Sequence, residues 1–164
     1  MNTQKPHSPH WLVKIFLSWF YTGFAPKAPG TFGSLAALPF ILLLHYLDFN
    51  TNTLLIITLS FYLAAVLITE YVQKKFHLHD PQWIVIDEVI GMLIAWIFIQ
   101  KIDFISLSLI FILFRIFDII KIWPASFFDQ MHHGLGTITD DVISGIYAGL
   151  LTVLIRHYVL PIAL

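Results

Sequence analysis

The sequence predicts an all-α fold, a polytopic membrane helical bundle. It has about four to five transmembrane helices plus an N-terminal interfacial helix, in a single domain over residues 1–164. Three observations predict it. Of 164 residues, 58% are hydrophobic and 12% charged, against about 25% charged in a typical soluble domain. Nine basic and ten acidic side chains cover a polar surface poorly, and a mean hydropathy of +0.80 points to lipid as the outer solvent. Finally, five apolar stretches approach the roughly 20 residues needed to cross a hydrocarbon core.

The same arithmetic excludes several classes. A disordered chain would show the reverse composition. A nucleic-acid partner is not expected, because net charge is −1 and no basic run exceeds Lys74-Lys75. With no cysteine, thiolate metal sites, disulfides and thiol catalysis drop out. The first ten residues are polar with two prolines, and Trp11–Phe24 is interrupted by Lys14 and Ser18. That pattern differs from a cleaved signal. Nothing in the chain specifies an oligomeric state.

The elements follow in order. Trp11, Ile15, Phe16, Trp19 and Phe20 recur at spacings of three to four, an amphipathic stripe suited to the membrane interface or to packing on the bundle. The five apolar stretches are Ser34–Leu47, Thr53–Val72, Trp83–Ile99, Phe104–Ile120 and Val142–Leu160. Short linkers, 48–52 and 100–103, lie on one side; the polar segments 1–33, 73–82 and 121–141 lie on the other. With that second side cytoplasmic, Lys5, Lys14, Lys27, Lys74, Lys75 and Lys121 are inside, while Lys101 and Arg156 are outside. This satisfies the positive-inside bias.

Ionisable residues inside membrane helices are costly and usually functional. Asp87 and Glu88 fall in the first turns of the third stretch, and Arg115 and Asp118 in the last turns of the fourth. Asp140 and Asp141 immediately precede the fifth. All six therefore lie at cytoplasmic helix ends, where packing would gather them. Gly91 permits close approach of a neighbouring helix. Five carboxylates without cysteine suit a hard cation such as Mg²⁺, held by oxygen ligands. For any one of them the ordinary alternatives are a buried ion pair or a helix cap, and for Asp140 capping competes strongly.

Two loops add candidates. Ala25–Ser34 holds two prolines and two glycines, and Thr31 or Ser34 suits capping. Free N–H groups at such a helix start, with Lys27 beside them, attract an anion. His132-His133-Gly134-Leu135-Gly136 offers a histidine as general acid in a loop able to fold over a ligand. A capped helix start and a solvated loop are the respective alternatives. The segment His77-Leu-His79-Asp80 is spaced as a loop rather than as a metal site.

Taken in order, Pro29-Gly-Thr-Phe-Gly-Ser34, Ile86-Asp-Glu-Val-Ile-Gly-Met92, Phe114-Arg-Ile-Phe-Asp118, Lys121-Ile-Trp-Pro124, Phe128-Asp129, His133-Gly134 and Asp140-Asp141-Val-Ile-Ser-Gly145 resemble the phosphatidylglycerophosphatase A family across about residues 21–150. The resemblance implies a bacterial inner-membrane, multi-pass enzyme that hydrolyses phosphatidylglycerophosphate to phosphatidylglycerol and phosphate with Mg²⁺. Its partner is then a phospholipid substrate. This chain departs from the family pattern at Ile122, where a proline is frequent, at Gln130, where a basic residue is, and at Leu135, where a glycine is.

The expected site follows. Asp87, Glu88, Asp118 and Asp140 or Asp141 hold Mg²⁺. Arg115, Lys121, Lys27, Thr31 and Ser34 at the first long helix bind phosphate oxygens. A carboxylate or His133 moves the proton, with the site at the cytoplasmic face. An ion-coupled transporter is the alternative, since it also uses intramembrane carboxylates; against it, no inverted repeat is visible and the charges sit at one face. Metal-free lipid phosphatases need Arg-Pro and Ser-Gly-His runs, but here Arg115 precedes Ile116 and Ser144-Gly145 precedes Ile146. The Asp-Gly…Ala-Arg run of CDP-alcohol phosphotransferases is also missing.

Overall fold

A computed structural model describes residues 8–78 and 81–159. The elements are α1 (Trp11–Leu17), a short 3₁₀ turn (Thr22–Phe24), α2 (Pro29–Tyr46), α3 (Thr51–Phe76), α4 (Ile86–Ile97), α5 (Phe104–Ile120), α6 (Ala125–Asp129) and α7 (Gly134–Leu154). A π-helical turn continues α7 over Ile155–Val159. No strand occurs among the described residues. The expectation that His77–Asp80 forms a loop falls partly on 79–80, which lie outside the described residues.

Among the described residues, three helices are long and apolar enough to cross a membrane: α2, α3 and α7 with its π turn, the last two at 26 residues each. At 1.5 Å per residue, α3 is about 39 Å long. Its outer face presents Leu55, Ile56, Leu59, Leu63 and Leu67 to the surroundings. In water that stripe would be an aggregation site; in lipid it needs no cover. The protein is accordingly membrane-associated. The third and fourth apolar stretches become the shorter helices α4 and α5, of 12 and 17 residues.

Helix α4 is apolar for a different reason than α3. Ile86, Val89, Ile90, Met92, Leu93, Ala95 and Trp96 are all buried by protein, so α4 is the axial element of the bundle. Helix α7 packs on it most extensively, with α2, α3 and α5 around the pair. Close approach is possible because two glycines face each other. A Cβ on Gly145 would strike the Gly91 carbonyl, and one on Gly91 would come within 2.8 Å of the Asp141 carbonyl oxygen.

Two boundaries differ from the sequence reading. Helix α2 starts at Pro29 rather than Ser34, with Ala28 as a left-handed N-cap that makes no side-chain bond. Proline suits this first position, since its missing N–H would have no helical partner anyway. Neither Thr31 nor Ser34 caps the helix; both lie inside it, and the Ser34 hydroxyl donates to the Gly30 carbonyl at 2.9 Å. Helix α7 starts at Gly134 rather than Val142. Its cap is His133, whose Nδ1 accepts the Gly136 N–H at 3.4 Å. Glu70 of α3 accepts the Gly134 N–H at 2.6 Å. Asp140 and Asp141 therefore sit in the second turn of a helix and do not precede one. The polar run Thr137–Asp141 hides this start from any hydropathy reading.

The N-terminal stripe forms α1, followed by Trp19, Phe20 and Tyr21 at positive φ, which reverses the chain. Leu17 and Trp19 point inward and Trp11, Leu12 and Phe20 outward. The Leu17 carbonyl accepts the Val85 N–H at 2.8 Å, which ties this segment to the entrance of α4. Trp19 also packs edge-on against Phe40 of α2 and Phe61 of α3.

Candidate active site

The up-and-down path of the chain brings five helix ends to one pole of the bundle: the starts of α2, α4 and α7 and the ends of α3 and α5. Between them lies a cavity of about 730 Å³, walled by Asp87, Glu88, Asp140 and Asp141 together with Arg115 and Lys121.

Asp87 and Glu88 occupy the first turn of α4, where the helix dipole favours negative charge. The Asp87 Oδ1 accepts the Glu88 N–H at 3.1 Å. Asp141 arrives from α7 across the Gly91–Gly145 contact. Oxygens of Asp87, Glu88 and Asp141 lie within 4.8 Å of one another. Such a cluster repels itself unless a cation or shared protons intervene. Glu88 Oε2 and Asp140 Oδ1 are buried with no hydrogen-bond partner among the described residues. Unsatisfied carboxylate oxygens in an all-oxygen donor set fit Mg²⁺.

The cations stand opposite. Arg115 is three residues before Asp118 on α5, and its Nη1 holds the Asp118 carboxylate at 2.5 Å. The same Nη1 approaches the Ser34 hydroxyl at 3.5 Å. Gly30 makes room for this arrangement: a Cβ there would overlap Glu88 Oε1 and come 3.1 Å from Arg115 Nη1. Lys121 caps α5 in the left-handed conformation, φ 50°, a position where glycine costs least. Its side chain accounts for its presence there. The ammonium donates to Asp129 of α6 and to Asp140 of α7, the latter at 2.7 Å. Burial alone would pull the Lys121 ammonium down, but the hydrogen bonds to Asp129 and Asp140 outweigh it and hold the group above the usual lysine range.

Asp87, Glu88, Asp140, Asp141, Arg115, Asp118 and Lys121 thus share one cavity. Ser34 reaches it through Arg115. Lys27 is exposed, and neither it nor Thr31 is on the cavity wall. His133 is also off that wall; it lines a neighbouring hollow of about 310 Å³ with Glu70, Lys74 and His77. His132 borders both spaces. Wall residues that the sequence reading did not assign to the site include His132 as distinct from His133, Gln73 and Thr137. Gln73 and Thr137 carry no charge to draw notice, and only the packing of α3 on α7 brings them together.

Comparisons with known proteins identify relatives of the chain. The family model described as phosphatidylglycerophosphatase A matches residues 15–156. A phosphatidylglycerophosphatase A of Escherichia coli (strain K12) is 36% identical over 148 residues, covering 87% of this chain and 83% of the relative. One from Haemophilus influenzae is 33% identical over 150 residues, covering 90% and 91%. A Bacteroides thetaiotaomicron protein that carries the provisional name phosphatidylinositol-3-phosphatase is 30% identical over 155 residues, covering 90% and 96%. No solved structure matches the chain.

Proposed function

The chain belongs to the phosphatidylglycerophosphatase A family, and from this we propose that it hydrolyses the phosphomonoester of phosphatidylglycerophosphate, yielding phosphatidylglycerol and inorganic phosphate. We further propose that the reaction uses Mg²⁺ and occurs at the cytoplasmic face of a bacterial inner membrane. The observation that carries the reading is the meeting of Asp87, Glu88 and Asp141 with Arg115 and Lys121 in one cavity at the pole of an apolar bundle. The pole, not mid-height, is where a lipid phosphate would lie while its acyl chains stay in the membrane. A transporter's coupling site would sit nearer the midplane. Of the six lysines that the sequence assigns to this side, Lys5 lies outside the described residues; Lys14, Lys27, Lys74, Lys75 and Lys121 support the cytoplasmic assignment.

Asp87, Glu88 and Asp141 would hold the Mg²⁺, with Asp140 and Asp118 behind them. Bound there, the ion supplies charge compensation for a phosphoryl group. The protein's own residues do the rest. Arg115 and Lys121 bind phosphoryl oxygens and stabilise the charge that spreads over them in the transition state. Asp118 and Asp140 hold these two cations in place. The P–O bond to the headgroup breaks as a water oxygen bonds to phosphorus, and the departing oxygen takes a proton. His132 borders the cavity and is better placed to donate it than His133, which is engaged as the α7 cap.

The experiment is phosphate release by the purified protein in detergent micelles. With phosphatidylglycerophosphate and Mg²⁺, release is expected, and chelation by EDTA should stop it. No release at any detergent ratio would remove the enzyme reading. The Bacteroides relative's name favours one second reading, a phosphoinositide monoester as substrate. Phosphatidylinositol 3-phosphate in a parallel arm, hydrolysed faster, would favour it.

A further inference from the structure

We propose that Gln73 accepts a hydrogen bond from a substrate hydroxyl adjacent to the phosphorylated carbon, and so sets selectivity among lipid phosphates. This rests on the phosphatase reading above. Gln73 sits in the last turn of α3 and is only 8% exposed. Its Nε2 donates to the Thr137 hydroxyl at 3.0 Å. That hydroxyl donates in turn to the His133 carbonyl at 3.3 Å. Its single proton is therefore committed, so it must accept from the amide, which fixes the amide's orientation. Gln73 Oε1 is left as the free end, buried with no hydrogen-bond partner among the described residues.

A buried, unpaired acceptor is costly unless a ligand satisfies it. Gln73 lies on the wall of the carboxylate cavity. Thr137 precedes Asp140 by three and Asp141 by four positions, so it lies about 5–6 Å along the same helix face. Thr137, which anchors the Gln73 amide, is thus one helical turn from two carboxylates of the site. A phosphate oxygen is itself an acceptor and cannot satisfy Gln73 Oε1, whereas a hydroxyl can. The glycerol headgroup of phosphatidylglycerophosphate carries a hydroxyl on the carbon next to its phosphate, as an inositol headgroup does. In phosphatidic acid the corresponding oxygen is acylated.

The test is the ratio of kcat/KM on phosphatidylglycerophosphate to that on phosphatidic acid, in mixed micelles. Wild type should prefer the hydroxylated lipid. Gln73→Met preserves length but removes the acceptor, and should lower the ratio about tenfold or more, chiefly through KM on the hydroxylated lipid. Thr137→Val frees the amide to rotate and should lower the ratio less; Thr137→Ser keeps the bond and should keep the ratio. If Gln73→Met does not fold, Thr137→Val carries the test, with its smaller fall in the ratio expected and an unchanged ratio overturning the proposal. An unchanged ratio, a parallel loss on both lipids, or a raised Mg²⁺ requirement on both overturns the proposal. An active wild type with no preference overturns this proposal alone. A wild type that releases phosphate from neither lipid overturns the phosphatase reading and this proposal with it.

Discussion

Asp87 stands within 4.8 Å of two other carboxylates, and this crowding separates its two possible roles. Were it a structural ion-pair partner, neutralising it would leave a buried charge unpaired and destabilise the fold. As a cation ligand it is instead a source of repulsion when the ion is removed. Asp87→Asn is therefore expected to lower phosphate release at least about a hundredfold while the thermal midpoint in EDTA stays the same or rises. Wild type should gain stability with added Mg²⁺, as any ligand-binding native state does, and the variant should not. A midpoint that falls in EDTA would return Asp87 to a structural role. Lys121 sets a limit on the pH profile. Its ammonium is held above the usual lysine range by Asp129 and Asp140. The ammonium itself stays charged below about pH 10, and the charge is lost only as pH rises through the folded value, so Lys121 does not titrate near neutrality.

Among the elements, α4 and α7 decide the site, and the Gly91–Gly145 contact decides how they meet. Replacing a helical glycine with alanine normally favours the helix by about 0.5–1 kcal/mol. At Gly145 the new Cβ would meet backbone atoms of Gly91, which cannot move aside as a side chain can. Overpacking of this kind costs about 1–3 kcal/mol, so the clash outweighs the propensity gain. Gly145→Ala should lower the thermal midpoint in detergent and weaken activity as Asp141 is displaced from Asp87 and Glu88. Equal or higher stability would mean the helices pack less closely than this. The sequence marked Gly91 as a close-approach residue, and α4 as apolar. Hydropathy could not separate α4, buried by protein, from α3, exposed to lipid, since both surroundings select the same side chains.

At the scale of the molecule, the two poles are built for opposite purposes. One gathers unsatisfied acids around a cavity; the other closes the bundle. There the Asp103 carboxylate caps α5, accepting from the Ser106 N–H at 2.9 Å and its hydroxyl at 2.7 Å, and also takes Arg156 of the α7 extension at 3.1 Å. Burial raises the Asp103 carboxyl, but the Ser106 bonds and Arg156 together outweigh it and lower the group below its ordinary value. A depressed carboxylate contributes stability that is present above its unfolded pKa and lost as pH falls through the folded one. Asn caps a helix as well as Asp does, so Asp103→Asn should lose chiefly the charge pairing with Arg156; with Asp103 more than a third exposed, solvent screening limits that to at most about 1 kcal/mol near neutrality, a small fall in midpoint. It should also flatten the fall in midpoint of wild type between about pH 5 and pH 3. Identical pH slopes would show that the pin is not charge-dependent.

The sequence by itself determined the solvent, the helical class, the family and the acidic inventory. These follow from composition and from short motifs, which are local properties of the chain. It placed Asp87, Glu88, Arg115, Asp118 and Lys121 correctly at helix ends, because periodicity and linkers bracket those positions. It misjudged the start of α7, because the caps that extend the helix back to Gly134 come from the His133 imidazole and from Glu70 on a distant helix. Only the tertiary structure decided which acids face one another, that His132 rather than His133 borders the cavity, and that Gln73, whose amide oxygen is buried without a partner among the described residues, lines its wall. Each of these depends on how α3, α4 and α7 rotate about their axes, and that is set by contacts between residues far apart in the chain.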